Sequence, residues 1–334
     1  MTSMNFNLGE EVEALREMAH RFSQQEIKPL ADHMDRTNEF PRAALWEKIG
    51  ELGLHGITVS EEYGGVELGY LAHCVAMEEV SRASAASGLS YGAHSNLCVN
   101  QINRNGTAEQ KAKFLPKLVS GEHVGALAMS EPGAGSDVVS MKLRADLDGD
   151  KFVLNGNKMW ITNGSMSDVA VIWAQTGEQG DVKGIRGFVV PTDTPGFSAK
   201  DQKGKLSLLA SDTSELVLED VDLPESALMP GSTSGLKHPL MCLTQARYGI
   251  AWGAVGAAMA CFDEALSYSK ERVMFDEPIG GKQIQQVRLA DMLTKITHGQ
   301  LVTYHLGRMK DEGTMTPQQV SFAKWANCDM ATDI

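Results

Sequence analysis

The 334 residues carry 43 acidic and 30 basic side chains, a net charge of −13 with histidine neutral. That balance argues against nucleic acid as a general partner, and the length allows two or three domains with sizeable cores. Five cysteines, an odd number without a C-x-x-C pair, fit a reduced intracellular compartment and do not fit a zinc site.

The N-terminus is acidic and has no apolar core, so it reads as neither a signal nor a transit peptide. No uncharged run reaches membrane-spanning length. Residues 10 to about 122 read as helices. Val12, Leu15, Met18, Ala19 and Phe22 keep helical spacing, and Pro29 sits where the pattern ends. A second run passes through Leu45, Trp46, Ile49 and Leu52 and is broken by Gly53 and Gly56; a turn follows at residues 61–65. A third helix covers residues 68–83 with Met77 as core. His94, near Tyr91, reads as structural or pocket-lining rather than as a metal ligand. Thr107-x-x-Gln110 is a capping box for a helix ending near Leu118.

Between about 124 and 230 the periodicity changes to strands, at residues 169–174, 185–190 and 215–221, with a polar loop at 177–184. From 236 the pattern is helical again. Residues 240–272 contain no proline and would span ~50 Å at 1.5 Å per residue. Gly249, Gly253, Gly256, Ala257 and Ala260 form a small-residue face, and Arg247, Asp263 and Glu264 place it in a soluble bundle rather than a membrane. Pro278 opens a second helix through Leu289, Met292, Ile296 and Leu301, and a third begins after Pro317. The expected domains are 1–123, 124–235 and 236–334.

The rest of the chain serves residues 126–164. They begin A-L-A-M-S-E-P-G-A-G-S-D and end N-G-N-K-M-W-I-T-N-G. Small residues in the first part let a ligand approach the backbone, and Ser130, Ser136 and exposed amides are donors for a carbonyl or phosphate oxygen. In the second, Asn155-Gly156 between two apolar runs reads as a hairpin turn. Spacing alone makes this a surface loop and an ordinary hairpin with Trp160 in the core. Gly133-x-Gly135-x-x-Val138 lacks the third glycine of a dinucleotide fingerprint and no G-K-[ST] occurs, so a cofactor would not be held in the common dinucleotide manner.

The paired motifs M-S-E-P-G-A-G-S-D and W-I-T-N-G resemble the acyl-CoA dehydrogenase family, flavoenzymes that oxidise acyl thioesters to enoyl thioesters. The resemblance covers essentially the whole chain. It implies a helical domain, a β-barrel-like middle domain and a helical bundle, with FAD as cofactor; a parallel Rossmann sheet would contradict it. It implies flavin contacts from Leu127, Ala128, Met129, Ser130, Gly135 and Ser136, and from Trp160, Ile161 and Thr162, with Thr162 near flavin N5. Arg272, Phe275 and Gln283 match positions that reach the FAD of a neighbouring subunit, which implies a dimer or a dimer of dimers. Ser136, Leu240, Leu243, Thr244, Arg247 and Tyr248 match the acyl-CoA path. Electron-transfer flavoprotein is the implied acceptor. The implied location is the cytoplasm of a bacterium, or the mitochondrial matrix of a eukaryote.

Residues 68–176 look like isovaleryl-CoA dehydrogenase and residues 184–334 like glutaryl-CoA dehydrogenase, with loop 177–184 as the seam. Glutaryl enzymes hold the distal carboxylate with an arginine, yet no Lys or Arg lies between Arg82 and Arg104. The expected substrate is therefore a short or branched acyl-CoA, with glutaryl-CoA as the alternative. A flavin- or acyl-CoA-binding protein without turnover, and an oxidase or monooxygenase on the same fold, are the readings from other classes. The family's base glutamate lies in a Tyr-Glu-Gly-Thr-like stretch that is absent here, and Ala246 stands at the alternative position, before Arg247. The 334 residues end at A-T-D-I inside an expected bundle helix. Reduced activity and an uncovered Val255, Met259 or Phe262 are the expectation. Leu209 replaces a family arginine and Asp276 a family glycine, which implies weakened FAD binding.

Overall fold

The structure, a computed structural model, describes residues 4–334. Seven helices come first: α1 (Glu10–Phe22), α2 (Lys28–Thr37), α3 (Arg42–Glu51), α4 (Gly69–Ala83), α5 (Ala85–Gly92), α6 (Asn100–Asn105) and α7 (Ala108–Ser120). Seven strands follow: β1 (Gly125–Ala128), β2 (Arg144–Asp148), β3 (Lys151–Thr162), β4 (Val169–Gln175), β5 (Ile185–Pro191), β6 (Phe197–Asp201) and β7 (Thr213–Pro224). The long helix α8 (Lys237–Glu271), the ribbon β8 (Val273–Met274) and β9 (Glu277–Pro278), then α9 (Gln283–Asp311) and α10 (Pro317–Asp333) complete the chain. This is a helical segment, a curled sheet and a second helical segment, and among the described residues there is no parallel Rossmann sheet. The sheet order is β1-β4-β2-β3-β7-β6 with β5 on β4, and within it β4 runs parallel only to β1 and β2.

Residue contacts group the chain into two compact units. The first holds the described residues of Met1–Pro29, with Leu68–Gly88 and Arg247–Ile334. In it α4 and α8 meet closely: a Cβ on Gly256 would stand 2.1 Å from Glu78 O, and one on Gly253 3.1 Å from Ser81 Oγ. This is the packing the small-residue face implies. Val255, Met259 and Phe262 are buried with Ile296 and Met330, and Leu289, Met292 and Ile334 pack against them. The expectation that they lie uncovered is therefore corrected, because α9 and α10 close over that face.

The second unit is Leu30–Glu67 with Leu89–Ala246. Period-two alternation on β4 supplies two of its apolar clusters. Val169 and Val171 pack against Val99, Ile102, Leu115 and Leu118, while Ala170, Ile172 and Ala174 face Phe152, Leu154, Leu216 and Leu218. Burying each such large side chain contributes ~1.5–3 kcal/mol. α7 starts at the Thr107–Gln110 capping box, with both reciprocal bonds formed.

Three sequence expectations fail for local reasons. Pro29 does not end a helix. Residues 23–27 form a π-turn, and Pro29 falls in the first turn of α2, where its missing N–H coincides with a change of helical register. Asn155-Gly156 is not a hairpin turn either. The turn lies between Asp148 and Lys151, with Gly149 at φ +65°, and β3 runs straight through residues 155–156. There the register against β7 shifts, which marks a bulge. Gly156 is needed at that bulge because its φ is +135° and a Cβ would meet Leu143 Cα at 2.8 Å. Asn155 spends its side chain on Asp220, donating to Oδ1 at 3.0 Å and accepting from the backbone N–H at 2.8 Å. Finally, Trp160 is not core but 63% exposed.

Candidate flavin and acyl-CoA site

Trp160 leaves the sheet because a second register shift falls between Lys158 and Ile161, and Trp160 itself has φ +65°. The bulge re-aims one side chain without interrupting the strand. Its neighbours behave differently: Ile161 turns into the sheet core, and Thr162 stays half-buried opposite Thr213. The strand end is held by Asn163, which donates from Nδ2 to Ser90 O at 2.9 Å and from its backbone to Asp212 O at 3.0 Å.

Loop 129–136 lies beside this strand. Met159 N donates to Ser130 O at 2.9 Å, so the two motif halves share a hydrogen bond between residues 29 positions apart in sequence. Ala128 and Met129 are buried and Leu127 and Ser130 half-buried, whereas Gly133, Gly135 and Ser136 are exposed. A Cβ on Gly133 or Gly135 would meet nothing within 4 Å, so the loop's outer side is open. Sequence reasoning missed the anchor of this arrangement. Lys158 is fully buried and donates to Glu131 Oε1 at 2.8 Å and Met129 O at 3.0 Å. Glu131 also accepts from the backbone N–H groups of Lys142 at 2.6 Å and Leu143 at 3.0 Å. Burial pulls the Lys158 ammonium down to about 8, against the opposing pull of Glu131. One acidic residue early in the first motif half and the single basic residue of the second were the available signal.

The start of α8 belongs to the same unit. Leu243 packs against the cluster containing Met129, Trp173 and Cys242, and Thr244 Oγ1 donates to Leu240 O at 3.1 Å. Leu240 is exposed and Ala246 half-buried. His94, buried in this unit, donates from Nε2 to Leu118 O at 2.9 Å and accepts at Nδ1 from Gly125 N at 2.8 Å. It is therefore a neutral structural histidine, lowered to about 4 by burial.

The remaining candidates lie in the other unit. Arg247 is exposed, while Tyr248 turns inward and is buried beside Cys74. Arg272, Phe275 and Gln283 gather at one corner: Ile279 N donates to Arg272 O at 2.9 Å, and the Lys282 ammonium lies 5.7 Å from the ring centroid of Phe275, itself 87% exposed. Phe275 and Asp276 form the two-residue loop between β8 and β9, both with positive φ, +55° and +62°. No group of His, Cys, Asp or Glu among the described residues is placed to hold a metal ion, and no helix among them is long and apolar enough to cross a membrane.

Three family descriptions match in succession: acyl-CoA dehydrogenase N-terminal domain over residues 9–122, middle domain over 126–221 and C-terminal domain over 233–334. The chain belongs to the acyl-CoA dehydrogenase family. It is 45% identical to the mitochondrial isovaleryl-CoA dehydrogenase of Arabidopsis thaliana over 96% of its own length and 78% of the relative's. A solved glutaryl-CoA dehydrogenase from Mycobacterium smegmatis aligns with TM-score 0.93 and 43% identity, covering 99% of this chain and 84% of that one. A second from that organism, in complex with FADH2, aligns with TM-score 0.92 and 38% identity over 98% and 82%. Members of the acyl-CoA dehydrogenase family are FAD-dependent oxidoreductases acting on CH–CH bonds, and FAD is the cofactor of this chain. The residues present fit it: an open glycine loop bears exposed donors, and an outward indole, a face for an aromatic ring, adjoins that loop through the Met159–Ser130 bond.

Proposed function

We propose that the chain dehydrogenates a short, branched acyl-CoA of the isovaleryl type, using loop 127–136 and residues 160–162 to hold FAD. When bound, the flavin supplies the hydride acceptor for the β-carbon. The chain's own residues bind and orient. Trp160 offers its indole face, Thr162 and the loop N–H groups offer donors, and Ser136 reaches both flavin and ester. Leu240, Leu243 and Thr244 line the path of the pantetheine and thioester, with Arg247 beyond them. Ala246 accepts no proton, so a base at that position is missing from this chain.

The observation that carries the substrate reading is the segment between Arg82 and Arg104. It contains no Lys or Arg, and its one histidine, His94, is buried and lowered to about 4. A distal carboxylate placed against it would go unpaired, at a cost of several kcal/mol. The glutaryl-CoA reading has in its favour the 43% identity to the Mycobacterium smegmatis enzyme. The test is anaerobic mixing of the FAD-loaded protein with isovaleryl-CoA and, separately, glutaryl-CoA, following the visible flavin band. Faster bleaching by isovaleryl-CoA is expected, and faster bleaching by glutaryl-CoA overturns the reading. No bleaching by any acyl-CoA would leave a binding protein, and peroxide release in air an oxidase.

Electron-transfer flavoprotein is the proposed acceptor. Arg272, Phe275 and Gln283 are proposed to reach the FAD of a second copy within a dimer or dimer of dimers. The proposed location is the bacterial cytoplasm, or the mitochondrial matrix in a eukaryote, and the proposed division remains 1–123, 124–235 and 236–334.

A further inference from the structure

The geometry points to Glu131 and Lys158 as positioning residues that aim the backbone donors of the flavin loop, an inference that rests on the reading of loop 127–136 as FAD-binding. Lys158 sits on β3 two residues before Trp160, and its ammonium crosses to the loop to take Met129 O at 3.0 Å and Glu131 Oε1 at 2.8 Å. In a trans peptide the C=O and the following N–H point in opposite directions. With Met129 O held against the buried lysine, the Ser130 N–H is directed away from it. The next peptide is fixed on both sides: Ser130 O accepts from Met159 N at 2.9 Å, and Glu131 N donates to Ala134 O at 3.0 Å. Glu131 in turn is clamped by two backbone N–H groups, of Lys142 and Leu143. The ion pair therefore fixes the first of two consecutive peptide planes, and the strand and turn hydrogen bonds that fix the second hold it at a set offset from the indole.

Such a pair is a poor stabilising device. Taking both charges out of water offsets most of their attraction, and apolar residues of similar volume commonly pack as well. Its value lies in direction: neutral side chains would fill the space without aiming the peptide. The ammonium is lowered to about 8 by burial, in keeping with full exclusion of water.

The test compares apo and FAD-loaded forms of the wild type and of the neutral pair Glu131→Gln with Lys158→Met, in which the single amide oxygen of the glutamine still accepts from one of the Lys142 and Leu143 N–H groups. The pair is expected to keep the apo melting temperature within a few degrees. It is expected to raise the FAD dissociation constant at least tenfold and to change the shape of the visible flavin band, which a purely structural role would not do. FAD affinity within twofold and an unchanged spectrum overturn the inference. If the wild type itself takes up no FAD, the flavin-loop reading fails first. Should the neutral pair fail to fold, Lys158→Met alone serves, because Glu131 keeps its two backbone donors: at least threefold weaker FAD binding supports the inference, and unchanged binding overturns it.

Discussion

Tyr304 donates its hydroxyl hydrogen to Glu78 Oε1 across 2.9 Å, inside the first unit, while Glu78 Oε2 has no partner. Gln300 Nε2 gives Oε1 a second bond at 3.2 Å, and the Arg16 guanidinium approaches from α1, donating to Tyr304 Oη at 2.5 Å. Burial raises the Glu78 carboxyl from 4.5 to about 7; Glu79 pushes the same way, and Arg16, Tyr304 and Gln300 pull it down.

Stability should therefore fall as pH rises from about 4.5 to about 7. Below that window folded and unfolded chains both hold the Glu78 proton. Within it only the folded chain does, and above it the folded chain carries a buried carboxylate at a cost of about 3 kcal/mol. Urea unfolding measured across this range should show the slope, and Glu78→Gln should flatten it. An unchanged slope in the variant would assign the titration to another group.

The contact between Gly256 and Glu78 O sets a second expectation. A methyl group 2.1 Å from a carbonyl oxygen forces α8 off α4. Gly256→Ala should destabilise the protein by about 2–3 kcal/mol, the range of overpacking, although alanine is the better helix former. A denaturant midpoint equal to or above that of the wild type would show that the helices separate freely.

Asp276 concerns the proposed cofactor corner. The loop Phe275–Asp276 needs positive φ at both positions, and aspartate tolerates +62° less well than glycine. Asp276→Gly removes that strain and a negative charge near the expected pyrophosphate, while freeing the unfolded chain. Stability should change by less than ~1 kcal/mol. FAD should bind several-fold more tightly, read by flavin fluorescence on reconstitution of the apo protein. Equal affinity would separate this corner from the cofactor.

How legible was this molecule from its sequence? The helices with period were plain, and the Thr107–Gln110 capping box read from the sequence is formed; the one at Thr316–Gln319 was not read. The strands β2 and β6 were not seen: each is five residues, and their burial patterns, half or more exposed, give little alternation to read. Trp160 was misplaced by pattern because a bulge, invisible to period counting, turns it out of the sheet. The family motifs marked the site, but the ion pair behind them needed the fold, since Glu131 and Lys158 are 27 residues apart and meet only when β3 lies beside the loop.

Ala246 gives the last prediction. It is half-buried on α8, one residue before the exposed Arg247, at the position where the family likeness to isovaleryl-CoA dehydrogenases expects the carboxylate that removes the α-proton. A helix accepts glutamate there at little cost in propensity, and half-burial leaves the carboxylate access to water in the apo protein. A general base typically contributes 10²–10⁴-fold in rate. Ala246→Glu should therefore raise the rate of flavin reduction by isovaleryl-CoA at least tenfold over the unsubstituted 334 residues, with FAD affinity unchanged. Ala246→Gln, equal in size but unable to take a proton, should give no increase. Equal rates in the Glu and Gln variants would mean that residue 246 is not where this chain handles the proton.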